Sequence, residues 1–356
     1  MVQDVLSNYN LMPGQWELEP IVNGLINQTW LVKNYPENFI LQKLNQQVFK
    51  NPAAIAFNVR MIADYLLLKN PGYLFVAPLK TRHNEEMKFI EGQGYFRLLP
   101  FIKKSHTINA VQLPQQAYEA AREFGHFTKL LSAFPVEKLQ ITLPDFHNLS
   151  LRYQQFLSVL ETGNTERIEQ CKDLISFIKA NKNITDTYQA ILQNPSFKKR
   201  VTHHDTKISN VLFNDENEGL CVIDLDTVMP GYFISDVGDM IRTYLSPANE
   251  EEEDFSKIII REEYFAAIVD GYMKEMSDEL TEAEKEHFIY AGKFMIYMQA
   301  MRFLTDHLNN DIYYGAKYKN HNLVRAGNQA VLLQKLIEKE AVLALLVYSA
   351  PVKIKK

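Results

Sequence analysis

Four polar residues after Val201 have the types and the spacing that phosphoryl transfer from a nucleotide requires. Asp205 is followed by Lys207 and Asn210, and Asp224 comes at the end of the next apolar run. Such a transfer needs a carboxylate to take up the acceptor's hydroxyl proton, a cation beside the moving phosphoryl group, and oxygen ligands for Mg²⁺. Asp205 can supply the first and Lys207 the second, whereas Asn210 and Asp224 can hold the metal ion.

The spacing is more informative than any one of these residues. A lone H-x-D is common, and a single Asp at a strand end is often only a cap. Here His203 to Asn210 reproduces the step of the kinase catalytic loop H-R-D-x-x-x-x-N, and Asp224 takes the place of the metal-binding Asp of D-F-G. Two strand-like runs, 211–213 and 220–223, surround them. The pattern therefore favours a nucleotide-dependent kinase over chance or a purely structural origin.

Bulk composition allows a large folded protein and excludes several classes. Of the 356 residues, 46% are hydrophobic and 23% are charged, and the formal net charge is −5. The length suggests two lobes or domains, and the negative charge does not favour a nucleic-acid or anionic-membrane partner. No signal peptide or membrane-spanning run is recognisable. Cys171 and Cys221 have no metal-site or disulfide spacing. We expect a cytoplasmic protein, monomeric or homodimeric, whose partners are small molecules.

Residues 16–101 read as strands and turns with one helix. Trp16–Val22 and Gln28–Val32 alternate apolar and polar residues around a turn at Asn23-Gly24, a hairpin pattern. Backbone N–H groups of this turn, at Gly24, could contact nucleotide phosphates. An ordinary hairpin turn is an equally good interpretation of these residues alone.

The next strand-like run, Phe39–Leu44, contains two candidates for the phosphate contact. Gln42 and Lys43 are neighbours, so strand alternation places them on opposite faces. If Lys43 faces the cleft, a cation binds the phosphates; if Gln42 does, a neutral amide replaces it. Further on, Asn51-Pro52 begins a predicted helix that continues through Leu68. Strand-like runs follow at 74–79, 87–91 and 95–99. The segment that contains Leu99 and Phe101 would then cross between the lobes, beside the adenine of the nucleotide.

From Leu113 onward, apolar spacings of three and four predict helices. They cover Pro114–Ser132, Leu149–Leu160, Glu166–Ala180, Thr185–Leu192, Glu282–Leu308 and Asn322–Val347. Asp236 and Asp239 could brace the catalytic loop or begin a helix, and a structural role is favoured. The acidic run Glu250–Asp254 is better explained as the first turn of a helix that continues toward Tyr272 than as a patch for a cationic substrate.

A polar segment near the C-terminus is a candidate acceptor site. Arg302 and Asp306 lie one helical turn apart, and a loop with Tyr313 and Tyr314 follows. Carboxylate, guanidinium and aromatic groups together suit a polyhydroxylated ligand. The alternative is an i,i+4 ion pair on a solvated face with a capped loop. Because the chain also contains the catalytic motif, the ligand pocket is favoured over the solvated ion pair.

These motifs together resemble the aminoglycoside phosphotransferase-like kinases of small molecules and, within them, the N-acetylhexosamine 1-kinases. The catalytic motif is shared by the whole superfamily, whereas V-I-D-L-D-T-V-M-P-G and R-F-L-T-D point more narrowly. The matching segments are spread over most of the chain: Asn23–Thr29, Phe39–Phe49, His203–Asn210, Val222–Pro230, Asp236–Arg242 and Arg302–Tyr314.

The resemblance implies an α+β, two-lobed protein-kinase-like fold, with a β-rich N-lobe in residues 1–101 and a helical C-lobe in residues 102–356. It implies ATP- and Mg²⁺-dependent phosphorylation of N-acetylglucosamine or N-acetylgalactosamine at the anomeric oxygen. Asp205 would be the base, Asn210 and Asp224 the metal ligands, and Lys207 the phosphate partner. The remaining contacts it implies are Gly24, Asn27, Thr29, Gln42, Lys43, Leu99 and Phe101 for the nucleotide and Asp205, Arg302, Asp306, Tyr313 and Tyr314 for the sugar.

The chain departs from the family pattern at two places. His204 stands where many phosphotransferases have Gly, and Leu25 makes the nucleotide loop bulkier. Other alcohols, such as choline, homoserine or an aminoglycoside, are alternative acceptors. Arg302, Lys317 and Arg325 near the proposed site count against a polycationic one. A nucleotide-binding protein without turnover is a further alternative, but it would usually lack one of the base and metal positions.

Overall fold

The fold of the computed structural model joins an antiparallel sheet to a larger helical part. The structure describes residues 2–11, 16–21, 26–34 and 36–348, so the predicted Asn23-Gly24 turn lies outside the described residues. The first part, called the N-lobe below, contains the described residues up to Phe101. The C-lobe follows from Ile102. The predicted α+β, two-lobed kinase-like fold is confirmed.

The N-lobe sheet has five strands in the order β1-β2-β3-β5-β4, all antiparallel. The strands are β1 (Glu17–Ile21), β2 (Gln28–Asn34), β3 (Glu37–Lys43), β4 (Lys88–Ile90) and β5 (Gly94–Pro100). One face packs with α1 (Val2–Leu6) around buried Leu41 and Leu98. Because side chains alternate along a strand, Ile40 and Gln42 face the other way, toward the C-lobe.

The predicted helix after β3 is confirmed as α2 (Pro52–Lys69). Asn51 caps it by accepting a hydrogen bond from the Ala54 amide at 3.2 Å, and proline occupies the first position, where no donor is lost. The strand predicted at 74–79 is wrong. Only a single bridge, Leu79 to Leu98, forms there, in a segment that includes Pro78, which has no amide hydrogen for a ladder.

The C-lobe is built around one long buried helix, α11 (Phe288–Leu308), which packs against α4 (Leu149–Thr162), α8 (Phe233–Tyr244) and α12 (His321–Glu338). Two small sheets pair β6 (Arg200–Thr202) with β9 (Met229–Gly231) and β7 (Val211–Phe213) with β8 (Gly219–Val222). The other helices are α3 (Pro114–Leu130), α4 (Leu149–Thr162), α5 (Thr165–Gln170), α6 (Lys172–Ala180), α7 (Asn183–Gln193), α8 (Phe233–Tyr244), α9 (Glu262–Met276), α10 (Glu282–Glu286), α12 (His321–Glu338) and α13 (Glu340–Tyr348).

Four helix predictions in this lobe need correction. The block predicted over Glu282–Leu308 is divided at His287 into α10 and α11, and that over Asn322–Val347 is divided at Lys339 into α12 and α13. The helix predicted over 166–180 is divided at Cys171 into α5 and α6. The acidic run Glu250–Asp254 does not form the first turn of α9. It lies in turns ahead of a short 3₁₀ helix, Phe255–Lys257, and α9 begins only at Glu262. The acids are therefore not explained by a helix dipole, and Glu250 has the ion-pair role described below.

Neither cysteine has a disulfide partner. Cys171 and Cys221 are both buried, and burial raises the pKa of both thiols, that of Cys221 to about 12. Among the helices that the structure describes, none combines the length and the apolar character required to cross a membrane.

Helices α3 and α9 cross at a point where glycine allows close approach. A Cβ at Gly271 would lie 2.2 Å from the Tyr118 carbonyl oxygen, and one at Gly125 would lie 3.2 Å from the Tyr272 carbonyl oxygen. The Tyr118 carbonyl cannot move away from an added Cβ at Gly271 unless helix α3, which supports the core, moves with it.

We expect Gly271→Ala to lower the free energy of unfolding by about 1–3 kcal/mol, the usual cost of an overpacked core. Gly72→Ala is the matched control, since a Cβ there meets nothing within 4 Å. Chemical denaturation of both variants measures the difference. Equal stability of the two variants would contradict the close crossing.

Candidate active site

The catalytic loop, residues 203–210, is held by two carboxylates of α8. Asp236 accepts hydrogen bonds from the amides of His203 at 3.0 Å and His204 at 2.7 Å, and Asp239 accepts one from Thr206 at 2.9 Å. Both carboxylates are buried. Burial raises the pKa of Asp236 to about 7, although the two amide donors oppose this. The structural role predicted for these two residues is confirmed.

His204 occupies a left-handed conformation, with φ at 68°. A residue with a Cβ is strained there, which accounts for the glycine that many phosphotransferases have at this position. In this chain the Asp236 bond holds the amide, and the ring packs against His147, with the two Nδ1 atoms 3.4 Å apart. Burial lowers the pKa of His204 to about 3, so the imidazole is neutral.

The carboxylate of Asp205 is placed to accept a proton. Lys207 Nζ lies 3.1 Å from Asp205 Oδ1, and Asn210 Nδ2 donates to the Asp205 carbonyl oxygen at 2.9 Å and to Oδ2 at 3.2 Å. Burial acts to raise the pKa of Asp205, but the charges of Lys207 and His203 outweigh it and lower the pKa. Asp205 is therefore ionised, and Asn210 is oriented with its amide NH₂ group toward Asp205.

Asp224 follows β8 in a left-handed conformation, with φ at 58°. The residue before it is tied to the catalytic loop on both sides: the Ile223 amide donates to the Asn210 carbonyl oxygen at 2.9 Å, and His203 Nε2 lies 2.9 Å from the Ile223 carbonyl oxygen. The carboxylate opens into the cleft. Desolvation by the surrounding protein, followed by the negative charges of Asp226 and Asp205, raises the pKa of Asp224. A cation bound there would relieve this repulsion.

The donor set of Asn210 and Asp224 suits Mg²⁺. Magnesium takes oxygen ligands and usually keeps several waters, being bound by one or two carboxylates together with substrate phosphates. The described residues contain no group of three or more His, Cys, Asp or Glu side chains that would form an all-protein metal cage. The amide oxygen of Asn210 and the carboxylate of Asp224, open to a cleft that can admit phosphates, are the groups that could hold such an ion.

A cleft with a cavity of about 400 Å³ separates the N-lobe sheet from the catalytic loop. Eight of the residues predicted from the sequence line it: Thr29, Gln42, Leu99, Phe101, Asp205, Lys207, Asn210 and Asp224. Two other predicted nucleotide contacts, Asn27 and Lys43, do not line it, and Gly24 lies outside the described residues.

The two exceptions have a structural explanation. The ammonium group of Lys43 lies 6.0 Å from the centroid of the Phe96 ring, on the face of β3 opposite to Gln42. Asn27 is buried, its Nδ2 donates to Asp226 Oδ2 at 2.7 Å, and its Oδ1 accepts from the Asn45 amide at 3.0 Å. Of the two alternatives left open on β3, Gln42 is the residue that faces the cleft.

Sequence reasoning missed a buried ion pair at the back of this cleft. Arg97 of β5 and Asp226, the second acid of D-L-D, are 3% and 1% exposed and bonded to each other. Arg97 Nε also donates to Gln42 Oε1 at 2.9 Å. The available signal was the second Asp after the apolar run, because an acid that enters the core needs a partner.

The other predicted substrate residues form a second pocket, of about 370 Å³, between α4 and α11. Arg302, Asp306, Tyr313 and Tyr314 all line it, and Asp205 does not. The predicted residues are thus brought together with each other but not into one cavity with the base. The two regions are neighbours through aromatic contacts: the Phe146 ring lies 5.9 Å from Arg302 Cζ and stacks at 4.3 Å on His147, which contacts His204.

Asp306 has a structural role in this pocket. Its carboxylate accepts hydrogen bonds from the amides of Tyr313 at 2.7 Å and Tyr314 at 2.9 Å and from Asn322 Nδ2 at 3.1 Å. The residue is 4% exposed. It therefore holds the tyrosine loop from the wall of the pocket, and its predicted contact with the substrate stays a prediction.

Arg302 and Arg152 carry the positive charge of the second pocket. Arg302 lies 5.4–5.9 Å from the ring centroids of Tyr314 and Tyr313, and no ion pair joins it to a described acid. Burial, followed by the charge of Arg302, lowers the pKa of Arg152. Arg152 Nε and Thr305 Oγ1 are buried there without a hydrogen-bond partner among the described residues. The wall of the pocket thus contains two polar atoms without a partner among the described residues.

Glu250 is a half-buried, ion-paired acid that sequence reasoning misread. It is bonded to Arg325 and lies 2.9 Å from Arg242, which in turn pairs with Asp239 at 2.9 Å. Burial opposes ionisation of Glu250, but the two guanidinium groups outweigh it and lower its pKa to about 2. This chain of charges connects α12 to the helix that holds the catalytic loop.

The family described as phosphotransferase enzymes, APH, matches residues 17–267, and the chain belongs to it. The protein is thus a phosphotransferase with an alcohol group as acceptor, and the broader predicted resemblance is confirmed.

Solved structures of similar fold have low sequence identity. A microcompartment-associated aminopropanol kinase has 12% identity and a TM-score of 0.67, over 97% of this chain and 98% of that one. Spectinomycin phosphotransferase APH(9)-Ia, in complex with ADP and spectinomycin, has 11% identity and a TM-score of 0.62, over 95% and 97%. Choline kinase from Cryptosporidium parvum has 14% identity and a TM-score of 0.56, over 96% and 97%.

We expect Asp205→Asn to keep the fold and nucleotide affinity but to lower turnover at least about 100-fold, the usual contribution of a positioned general base. Release of ADP with Mg-ATP and an accepted alcohol measures turnover, and calorimetry measures nucleotide affinity. Asp215→Asn, in the exposed turn between β7 and β8, is the control. Turnover near that of the control would remove Asp205 from the mechanism.

We expect Glu250→Gln to lower stability at neutral pH. The pKa of Glu250 is about 2 in the fold against an ordinary value of 4.5, so its contribution is complete above 4.5 and is lost as the pH falls through about 2. Urea denaturation at pH 7 and at pH 3 should therefore show a smaller difference between variant and wild type at the lower pH. Glu216→Gln, on an exposed turn, is the control, and a difference independent of pH would contradict the assignment.

Proposed function

We propose that the protein transfers the γ-phosphoryl group of ATP, with Mg²⁺, to the anomeric hydroxyl of an N-acetylhexosamine. The observation that carries the nucleotide half of this proposal is the cleft itself, in which Asp205, Lys207, Asn210 and Asp224 share one cavity with the cleft-facing residues of the N-lobe sheet. Support for the sugar half comes from the narrower sequence resemblance and from the charges on the acceptor side.

The residues of the chain have separate roles in this reaction. Asp205 orients the acceptor hydroxyl and accepts its proton as the new P–O bond forms and the bond to the ADP oxygen breaks. Lys207 keeps Asp205 ionised and places positive charge beside the transferred group. Asn210 and Asp224 hold Mg²⁺, which when bound neutralises charge on the phosphates. An anomeric hydroxyl is more acidic than an ordinary alcohol, so a late proton transfer to a carboxylate of lowered pKa suffices.

The acceptor side favours a neutral, hydroxyl-rich ligand. Its acids already have partners: Glu250 is paired with two arginines, Asp239 with Arg242, and Asp306 with backbone amides. Arg302, by contrast, has no acidic partner among the described residues. Guanidinium and tyrosine groups can donate to sugar hydroxyls and cover the apolar face of a ring.

The second candidate is a kinase of an amino alcohol. Solved structures of similar fold include aminopropanol and choline kinases, and the catalytic cleft serves any alcohol equally well. A cationic head group needs free carboxylates or an aromatic cage without competing cations. Here Arg152 and Arg302 occupy the pocket between α4 and α11, and they would repel such a ligand. The sugar is therefore the better supported acceptor.

The decisive experiment is release of ADP with Mg-ATP over a panel of N-acetylglucosamine, N-acetylgalactosamine, glucose, galactose, choline, aminopropanol, homoserine and kanamycin. We expect turnover with an N-acetylhexosamine and none with its methyl glycoside, in which the anomeric hydroxyl is blocked. Omission of Mg²⁺ should abolish the activity. Turnover with an amino alcohol alone would replace the sugar by the second candidate.

Arg302→Gln separates the acceptor from the nucleotide. We expect this variant to raise KM for the sugar about tenfold or more, the effect of losing a charged hydrogen bond, with little change in KM for ATP. Lys335→Gln, which removes a positive charge from the last turn of α12, is the matched control. An unchanged KM for the sugar in Arg302→Gln would show that the pocket between α4 and α11 does not bind the acceptor.

A further inference from the structure

Strand β3 presents no cation to the cleft. In kinases of this type a lysine on this strand pairs with the nucleotide phosphates, but here the cleft-facing residue is Gln42 and the neighbouring Lys43 points away. Of the described lysines and arginines, Arg97 and Lys207 line the cleft. Lys207 is engaged with Asp205 on the acceptor side. The phosphate-binding charge of the N-lobe must therefore come from another strand.

Arg97 stands at the appropriate place. It is the cross-strand partner of Gln42 in the pairing of β3 with β5, so the two side chains share the cleft face. Its guanidinium is fixed on two sides, by Gln42 through Nε and by Asp226 through Nη1. Nη2 has no hydrogen bond to a described residue, and Arg97 contributes to the cleft wall. A planar guanidinium held in this way is oriented before the ligand arrives.

We propose that Arg97 takes over the phosphate contact of the missing strand lysine and binds the α- or β-phosphate of the nucleotide through Nη2. The inference rests on the proposed nucleotide-dependent function. It assigns to β5 a cation that other kinases carry on β3. Asp226 is then the residue that positions Arg97, since it fixes the guanidinium without itself reaching the phosphates.

The charge balance of the cleft supports this role. Asp205, Asp224 and Asp226 bring three carboxylates close to the site of a polyanion, and the guanidinium of Arg97 is bonded to one of them, Asp226. Asp226 is two residues from Asp224 and is bonded to both Arg97 and Asn27. The carboxylate of Asp226 therefore fixes the position of Arg97 relative to Asp224, and it links this part of the C-lobe to the N-lobe.

Calorimetric binding of Mg-ADP and of adenosine to Arg97→Gln tests the inference without turnover. We expect the affinity for Mg-ADP to fall about 10- to 100-fold, the effect of losing a charged hydrogen bond, while that for adenosine stays unchanged. Lys43→Gln removes the same charge from the opposite face of the sheet and should bind both ligands as the wild type does. A folded Arg97→Gln variant with wild-type affinity for Mg-ADP would overturn the proposal.

The double variant Gln42→Lys/Arg97→Gln moves the cation to the strand where kinases usually carry it. We expect it to recover part of the Mg-ADP affinity. No gain over Arg97→Gln would show that the loss was structural and would overturn the proposal. If Arg97→Gln fails to fold, Arg97→Lys keeps the ion pair with Asp226, and its single ammonium group cannot serve both partners well. We then expect weaker Mg-ADP binding, and an unchanged affinity would again overturn the proposal.

These outcomes are distinct from failure of the proposed function. A wild-type protein that binds neither Mg-ATP nor Mg-ADP would refute nucleotide dependence, and the role of Arg97 with it. A wild type that binds them and an Arg97 variant that binds them equally well would refute the role of Arg97 alone.

Discussion

The site depends on the hydrogen bonds by which α8 holds a buried, irregular loop. Backbone amides removed from water must find acceptors, because an unsatisfied buried donor costs about 1–3 kcal/mol. The loop cannot form a regular ladder here, and Asp236 and Asp239 supply acceptors instead. With the amides fixed, the strained His204 is tolerated and Asp205 projects into the cleft. The positions of Asp205, Lys207 and Asn210 therefore depend on the hydrogen bonds that Asp236 and Asp239 accept.

Polar contacts connect the lobes in addition to the apolar packing of α2 against the C-lobe core. Asn58 of α2 is fully buried and donates to the carbonyl oxygens of Gln140 at 2.8 Å and Val228 at 3.0 Å. Asp226 binds Arg97 and Asn27 from the N-lobe. Such bonds are directional, so they define the relative position of the lobes more sharply than apolar contact does. Asp224, Asp205 and the cleft face of the sheet are therefore held in defined positions relative to one another.

Sequence patterns predicted the features that depend on neighbouring residues in the chain. The β1–β2 hairpin pairing, the Asn51 cap and the strands around the catalytic loop follow from alternation and capping. Register was not predictable, because a period of two shows that Gln42 and Lys43 face opposite ways but not which one faces the cleft. Partners distant in sequence were not predictable either. The acidic run was assigned to a helix dipole because nothing near Glu250 in the chain reveals Arg325, 75 residues away.

The state of the two cysteines has a practical consequence. The sequence contains only Cys171 and Cys221, and both are buried thiols of raised pKa. Because the thiolate is the reactive form, neither should take up a maleimide or spin label while the protein is folded. A single cysteine introduced on the surface of each lobe would then carry a fluorophore pair without removal of the native residues. The distance between the two lobes could thus be measured spectroscopically in an otherwise unaltered chain.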